Sequence, residues 1–289
     1  MDQGHNLGLL QDAEKTAHEI LPDGSLGDDR MTHLEEGLDA VAALFFAPRA
    51  VANIQYCIID CTHALTAVPD VLRASLDYSP SIYLDADGPR LGRHGRLSTI
   101  SLYSTPMETI YLIDDFSLSD AAMDLRGRGG NSLRSILESE NVTKVLFDGR
   151  SPADAFYGLF GVRLRCVVEV QLMEAATRSG NARFINGLAK CIEKRSGLSR
   201  ERRDSWLALK HLVRFNINPA YGGSSVVLER RPLDPVVKAS CFQNVAILPE
   251  LCRFFATSVL GCLLLSQQTQ HPRESDLHSL RHTMDKVST

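Results

Sequence analysis

The chain has 289 residues, 44% of them hydrophobic and 23% charged, which is a globular balance sufficient for one large domain or two small ones. A net charge of −4 excludes a protein that is basic over its whole surface, so any route to nucleic acid must be a local basic groove. Seven cysteines, at 57, 61, 166, 191, 241, 252 and 262, are odd in number and include no Cys-x-x-Cys pair; they exclude a disulfide framework and a zinc ribbon and fit reduced thiols.

The first residues, "MDQGHNLGLLQDAEK", are acidic and polar, unlike a secretory signal. Leu34, Leu38, Val41, Leu44 and Phe45 recur at helical spacing and predict an amphipathic helix over 34–47 within an N-terminal helical extension, 1–50. "QYCIID" (55–60) predicts a strand and "VPDVLRASL" (68–76) a helix. Three short strands follow, 81–86, 97–103 and 109–114, joined by the turn signals "DGPRLGRHG" and "STPM"; such short links predict an antiparallel meander. The pattern then alternates: a helix over 131–139 with Asn131 as its cap, a strand over 144–148, a helix over 152–160 and a strand over 165–170. "RGRGG" (126–130) is a turn and lacks the Gly-Lys-Ser/Thr of a phosphate loop. From 171 the chain reads as helices, with "YGGSS" (221–225) a turn between them.

The longest apolar run, 254–265, is too short to cross a bilayer, which needs about 20 residues. These features predict a cytoplasmic or nuclear protein, neither secreted nor held in a membrane. The fold class is α/β, a mixed five- to six-stranded sheet flanked by helices, over residues 51–262, with a tail from 263 to 289.

Five segments, in this order, resemble the DEDD-type 3′–5′ exonuclease domain, the RNase D-like branch of the ribonuclease H-like fold, and are most similar to fungal exonuclease-domain and animal Egalitarian-type proteins. They are "LDADG…LGRHGRLSTISLYS", "KVLFDGRSPADAFYGLFGVRL", "VVEVQLMEAATRSG", "INGLAKCIEK" and "RRPLDPVVKASCFQNVAILPEL". The resemblance implies a site in which four carboxylates hold two Mg²⁺ or Mn²⁺ ions, about 3.5–4 Å apart, that clamp the oxygens of an in-line phosphodiester hydrolysis. Asp85 and Asp87 occupy the two positions of the first motif, Asp87 where Glu is commoner; an i, i+2 pair at a strand end points to one side.

The other two positions depart from that pattern. Where the second motif ends in a metal-binding Asp, this chain has Pro152, with Ser151 as a helix cap and Pro152 suited to the first turn. Asp154 lies about 200° further around the helix and is expected to face away. The third motif carries Tyr or His and then Asp on one helix face; here these align with Ser240 and Asn244, on a helix that starts at Asp234–Pro235. Asp148 and Glu169 are carboxylates that could substitute, Asp148 reading otherwise as a turn residue.

Two missing carboxylates remove half of the countercharge for two divalent ions, so the expectation is a catalytically impaired exonuclease-like protein that binds single-stranded nucleic acid, RNA favoured, or serves as a scaffold. Mg²⁺ or Mn²⁺ is a cofactor only for the alternative, an active 3′–5′ exonuclease with an altered carboxylate set; otherwise there is none. A second alternative is a protein-interaction adaptor, as a homodimer or with another partner. For nucleic acid the candidate residues are Lys194, Arg195, Arg200 and Arg203 with Trp206 as a stacking platform, although the interleaved Glu193, Glu201 and Asp204 favour a solvated helix face.

Overall fold

The computed structural model describes residues 54–73, 82–119, 121–178 and 184–268, with the backbone alone at 121 and 259–268. The expected 34–47 helix and the 1–50 extension lie outside these residues. Six strands form one sheet: β1 (Gln55–Ile59), β2 (Ile82–Asp87), β3 (Thr99–Ser104), β4 (Thr109–Ile113), β5 (Lys144–Leu146) and β6 (Val167–Glu169), in the order β1-β4-β3-β2-β5-β6. β2, β3 and β4 are the antiparallel meander that the short turns predict, and β1, β5 and β6 join it in parallel. The sheet is therefore mixed, because the parallel strands are reached through helical crossovers and the meander through turns.

Strand alternation divides the core into two layers. On one side Ile82, Leu84 and Ala86 of β2 pack with Ile100, Leu102 and Ile113. This layer is covered by α1 (Thr62–Leu65), α2 (Val68–Arg73), α3 (Asp115–Leu118), α4 (Ala121–Asp124), α5 (Leu133–Leu137) and α6 (Arg150–Phe160), through residues such as Leu65, Leu72, Ile136 and Phe156. On the other side Tyr83, Tyr103, Ile110 and Leu112 pack with α7 (Val170–Ala176), α8 (Leu188–Arg195), α9 (Arg200–Ile217), α10 (Pro235–Ala246) and α11 (Leu248–Gln268). Each fully buried aliphatic or aromatic side chain contributes about 1.5–3 kcal/mol, so both layers hold the sheet. α11 continues to Gln268, past the expected 262 boundary. Among the described residues no helix is long and apolar enough to cross a membrane.

Two helix starts differ from the sequence expectation. Ser132, not Asn131, caps α5: its Oγ accepts from the Ser135 N–H while the Ser135 Oγ accepts from the Ser132 N–H. Asn131 instead donates to Asp70 of α2, pinning the 126–130 turn. α6 begins at Arg150 with Gly149 before it, so Ser151 is already inside the helix and makes no cap. α10 starts as expected, with the Asp234 carboxylate accepting from the Val236 and Val237 N–H groups. Arg231, just upstream, sets where α10 lands: its guanidinium forks onto Asp114 at the end of β4 and also donates to the Ser98 carbonyl. Burial alone would raise the Asp114 carboxyl, but hydrogen bonds from Arg231 and Ser117 hold it below its ordinary value.

Candidate functional site

Asp85 and Asp87 share a face with Tyr83, so the pleat of β2 aims both carboxylates at the layer occupied by α10. There the expected stripe of α10, Val237, Cys241, Val245 and the following Leu248, is buried, and Ser240 and Asn244 are buried beside it at 5% and 6% exposure. Asn244 donates its Nδ2 to Asp85 Oδ2 at 2.9 Å. Its Oδ1 is buried without a protein partner, as is Ser101 Oγ on the strand residue directly opposite Asp85. Cys241 donates its thiol to Asp87 Oδ2 at 3.5 Å and lies 3.7 Å from Thr99 Oγ1. Ser240 accepts from Lys210 Nζ at 3.5 Å.

The electrostatics follow from this enclosure. Burial, and then the neighbouring Asp87 charge, push the Asp85 carboxyl up to about 7, against the opposing pull of Lys210, the Asn244 amide and the Ala86 N–H. Burial and the Asp87 charge likewise raise the Cys241 thiol well above its ordinary value, so it stays a neutral donor.

The remaining sequence candidates are placed elsewhere or already engaged. Glu169 accepts from three backbone N–H groups, those of Asp148 (2.8 Å), Gly149 (2.7 Å) and Gln171 (3.1 Å). It thereby caps α7 and holds the turn into α6. A Cβ on Gly149 would stand 3.1 Å from Glu169 Oε2, which explains a glycine at that close approach. Asp148 sits in the left-handed region at φ 57° and accepts from Arg150 Nε at 2.7 Å, the turn role. Pro152 is buried in the first turn of α6, and Asp154 faces away as expected, paired with Arg93.

The basic candidates also change character. Trp206 is 1% exposed and packs in the core, so it is no stacking platform; the helical period of α9 puts it on the buried stripe with Leu209 and Val213. Arg195 donates to the Thr177 carbonyl, and Arg200 and Arg203 each lie 3.4 Å from Asp204, the solvated-face arrangement; Lys194 is exposed. Lys210, whose charge acts on Asp85, was missed; nothing local in α9 distinguishes it from the other cations of that helix.

The fit to a pair of divalent ions fails on the donor set. Among the described residues no three His, Cys, Asp or Glu side chains converge as metal ligands. The position that the resemblance assigns to a further carboxylate is Asn244, which directs its amide N–H at Asp85 and can offer a cation only a neutral carbonyl oxygen, no charge.

No protein-family model matches the chain, and no curated protein matches it. Solved structures do. Trypanosoma brucei RNase D in complex with GMP matches with a TM-score of 0.53 at 21% identity, over 75% of this chain and 64% of that one. Its complex with RNA U12 matches with a TM-score of 0.53 at 18% identity, over 75% and 66%. The catalytic core of RRP6 from Trypanosoma brucei matches with a TM-score of 0.52 at 14% identity, over 80% and 53%. This chain thus spans slightly under two thirds of those two RNase D chains and about half of the RRP6 core. The likeness is one of fold: the domain has the RNase D-like 3′–5′ exonuclease fold of the ribonuclease H type.

Proposed function

We propose that this domain holds single-stranded nucleic acid, with RNA as the favoured class, and does not hydrolyse it. The observation that carries the reading is the Asn244 amide donating to Asp85 at 2.9 Å. A charge-neutral donor stands where two-metal hydrolysis requires an anionic oxygen. Pro152 removes a second anionic oxygen, and Glu169 and Asp148 are engaged by backbone N–H groups and Arg150. With half of the countercharge gone, Asp85 and Asp87 alone are insufficient to retain two cations or to offset the charge that builds on the transition state. RNA as the ligand class is supported by the fold shared with an RNase D seen with RNA U12.

Incubation with 3′-labelled single-stranded RNA and Mn²⁺ tests the reading: the label is expected to remain in full-length product. Shortening from the 3′ end that disappears in Asp85→Ala would establish the active-exonuclease alternative. An RNA mobility shift that weakens as salt rises is expected at low ionic strength. Its absence favours the adaptor alternative.

A further inference from the structure

The surface of the opposite layer carries a feature that the Asp85 pocket does not use. In the connection from β2 to β3, residues 88–98, the segment around Arg93 folds back onto α6. Asp154 accepts from the Arg93 N–H at 2.8 Å and from its Nε at 3.0 Å, with Nη2 at 2.9 Å. Gly158 lets the loop lie directly on the helix: a Cβ there would stand 2.7 Å from the Arg93 backbone. The loop is thus fixed at two points, one polar and one steric.

What it presents is cationic and concave. A hollow of about 660 Å³ is lined by Arg93, His94, Tyr157 and Arg163, and a second of about 300 Å³ adjoins it through Arg93 and His94 and reaches Arg90. Tyr157 is 43% exposed, with the Arg93 and Arg163 guanidinium carbons 5.7 and 5.4 Å from its ring centroid. The two hollows are lined by three arginines and one carboxylate, Asp154, which is paired with Arg93. Glu138, nearby, accepts from the Arg163 backbone N–H. Arg90 and Arg163 are exposed residues with planar guanidinium forks that line the two hollows, and the Arg163 fork lies over the Tyr157 ring. Phosphate oxygens are the acceptors such forks match.

We infer that this hollow, framed by Arg90, His94, Tyr157 and Arg163, is a binding site for nucleotide phosphate groups, and that in a single-stranded RNA it takes the phosphodiester. The RNA part rests on the function proposed above. Fluorescein-labelled oligouridine in an anisotropy titration of the full chain tests it. The Arg90→Ala/Arg163→Ala variant, with an unchanged thermal midpoint, is expected to bind about fivefold to tenfold more weakly, with its salt slope lower by about 2. Arg200→Ala/Arg203→Ala on α9 is expected to change affinity less. Wild-type affinity in the Arg90/Arg163 variant overturns the site and leaves RNA binding standing. If the wild-type chain does not bind oligouridine, RNA binding fails, and uridine monophosphate followed through the NMR signals of His94 and Tyr157 decides the hollow. Saturating shifts lost in the double variant make it a site for free nucleotides; no shifts overturn it as well.

Discussion

Glu169 and Asp85 stand on the two strands that flank β5, and the fold treats their carboxylates differently. Around Glu169, backbone N–H groups from two chain segments converge, so the side chain acts as a keystone for the starts of α6 and α7. Around Asp85 the surroundings offer a side-chain amide, a distant ammonium group and a second carboxylate, and burial acts against its charge. Glu169 therefore serves the architecture, while burial opposes the Asp85 charge and the Asn244 amide of α10 only partly relieves it.

Breaking the first half of that contrast is expected to have the largest effect. Glu169→Ala leaves the Asp148, Gly149 and Gln171 N–H groups without their acceptor and should lower stability by about 4 kcal/mol, read from the urea midpoint. A neutral result would remove Glu169 from the architecture and return it to the pool of candidate ligands.

Sharpening the second half comes next. Asn244→Asp adds a third carboxylate beside Asp85 and Asp87 and should cost about 3 kcal/mol near neutral pH without metal. Combined with Pro152→Asp, it should make the thermal midpoint rise with Mn²⁺, a dependence the unaltered chain is expected to lack. A Mn²⁺-dependent midpoint in the unaltered chain would show that its carboxylates already hold the ion.

The smallest expected effect is a pH signature. The Asp85 carboxyl is raised from its ordinary 3.8 to about 7, so between these values the folded chain binds more protons than the unfolded chain. Stability should therefore fall as pH rises through that window and level off above it. Asp85→Asn should flatten this segment of the stability profile and raise stability at pH 8. A profile identical to wild type would mean that Asp85 is solvated like a surface carboxylate.

Much of this protein is legible one residue at a time. The meander follows from β-branched runs separated by Gly and Pro, the α10 start from Asp234–Pro235, and the Asp154 orientation from helical geometry. The legible parts of the site are the Asp85–Asp87 pair and the residues Pro152 and Asn244 at the two positions where the resemblance implies carboxylates. Reading fails where a residue has two local roles of equal merit. Trp206 beside Lys194, Arg195, Arg200 and Arg203 looks like a stacking platform until its face of α9 is known to be the buried one. Ser151 looks like a cap until Glu169 is seen holding the turn ahead of it. Asn131 and Ser132 are both good caps, and Asp70, on another helix, selects between them.

By itself the sequence determined the order of strands and helices, the pair of acids at the end of β2 and the absence of acids at 152 and 244, because period and composition are local properties. Only the tertiary structure decided what those residues meet. Asn244 reaches Asp85 across 159 positions, and Asp154 reaches Arg93 across 61. Such encounters depend on how two layers close over one sheet, and closure is a property of the whole chain that no window of neighbouring residues contains.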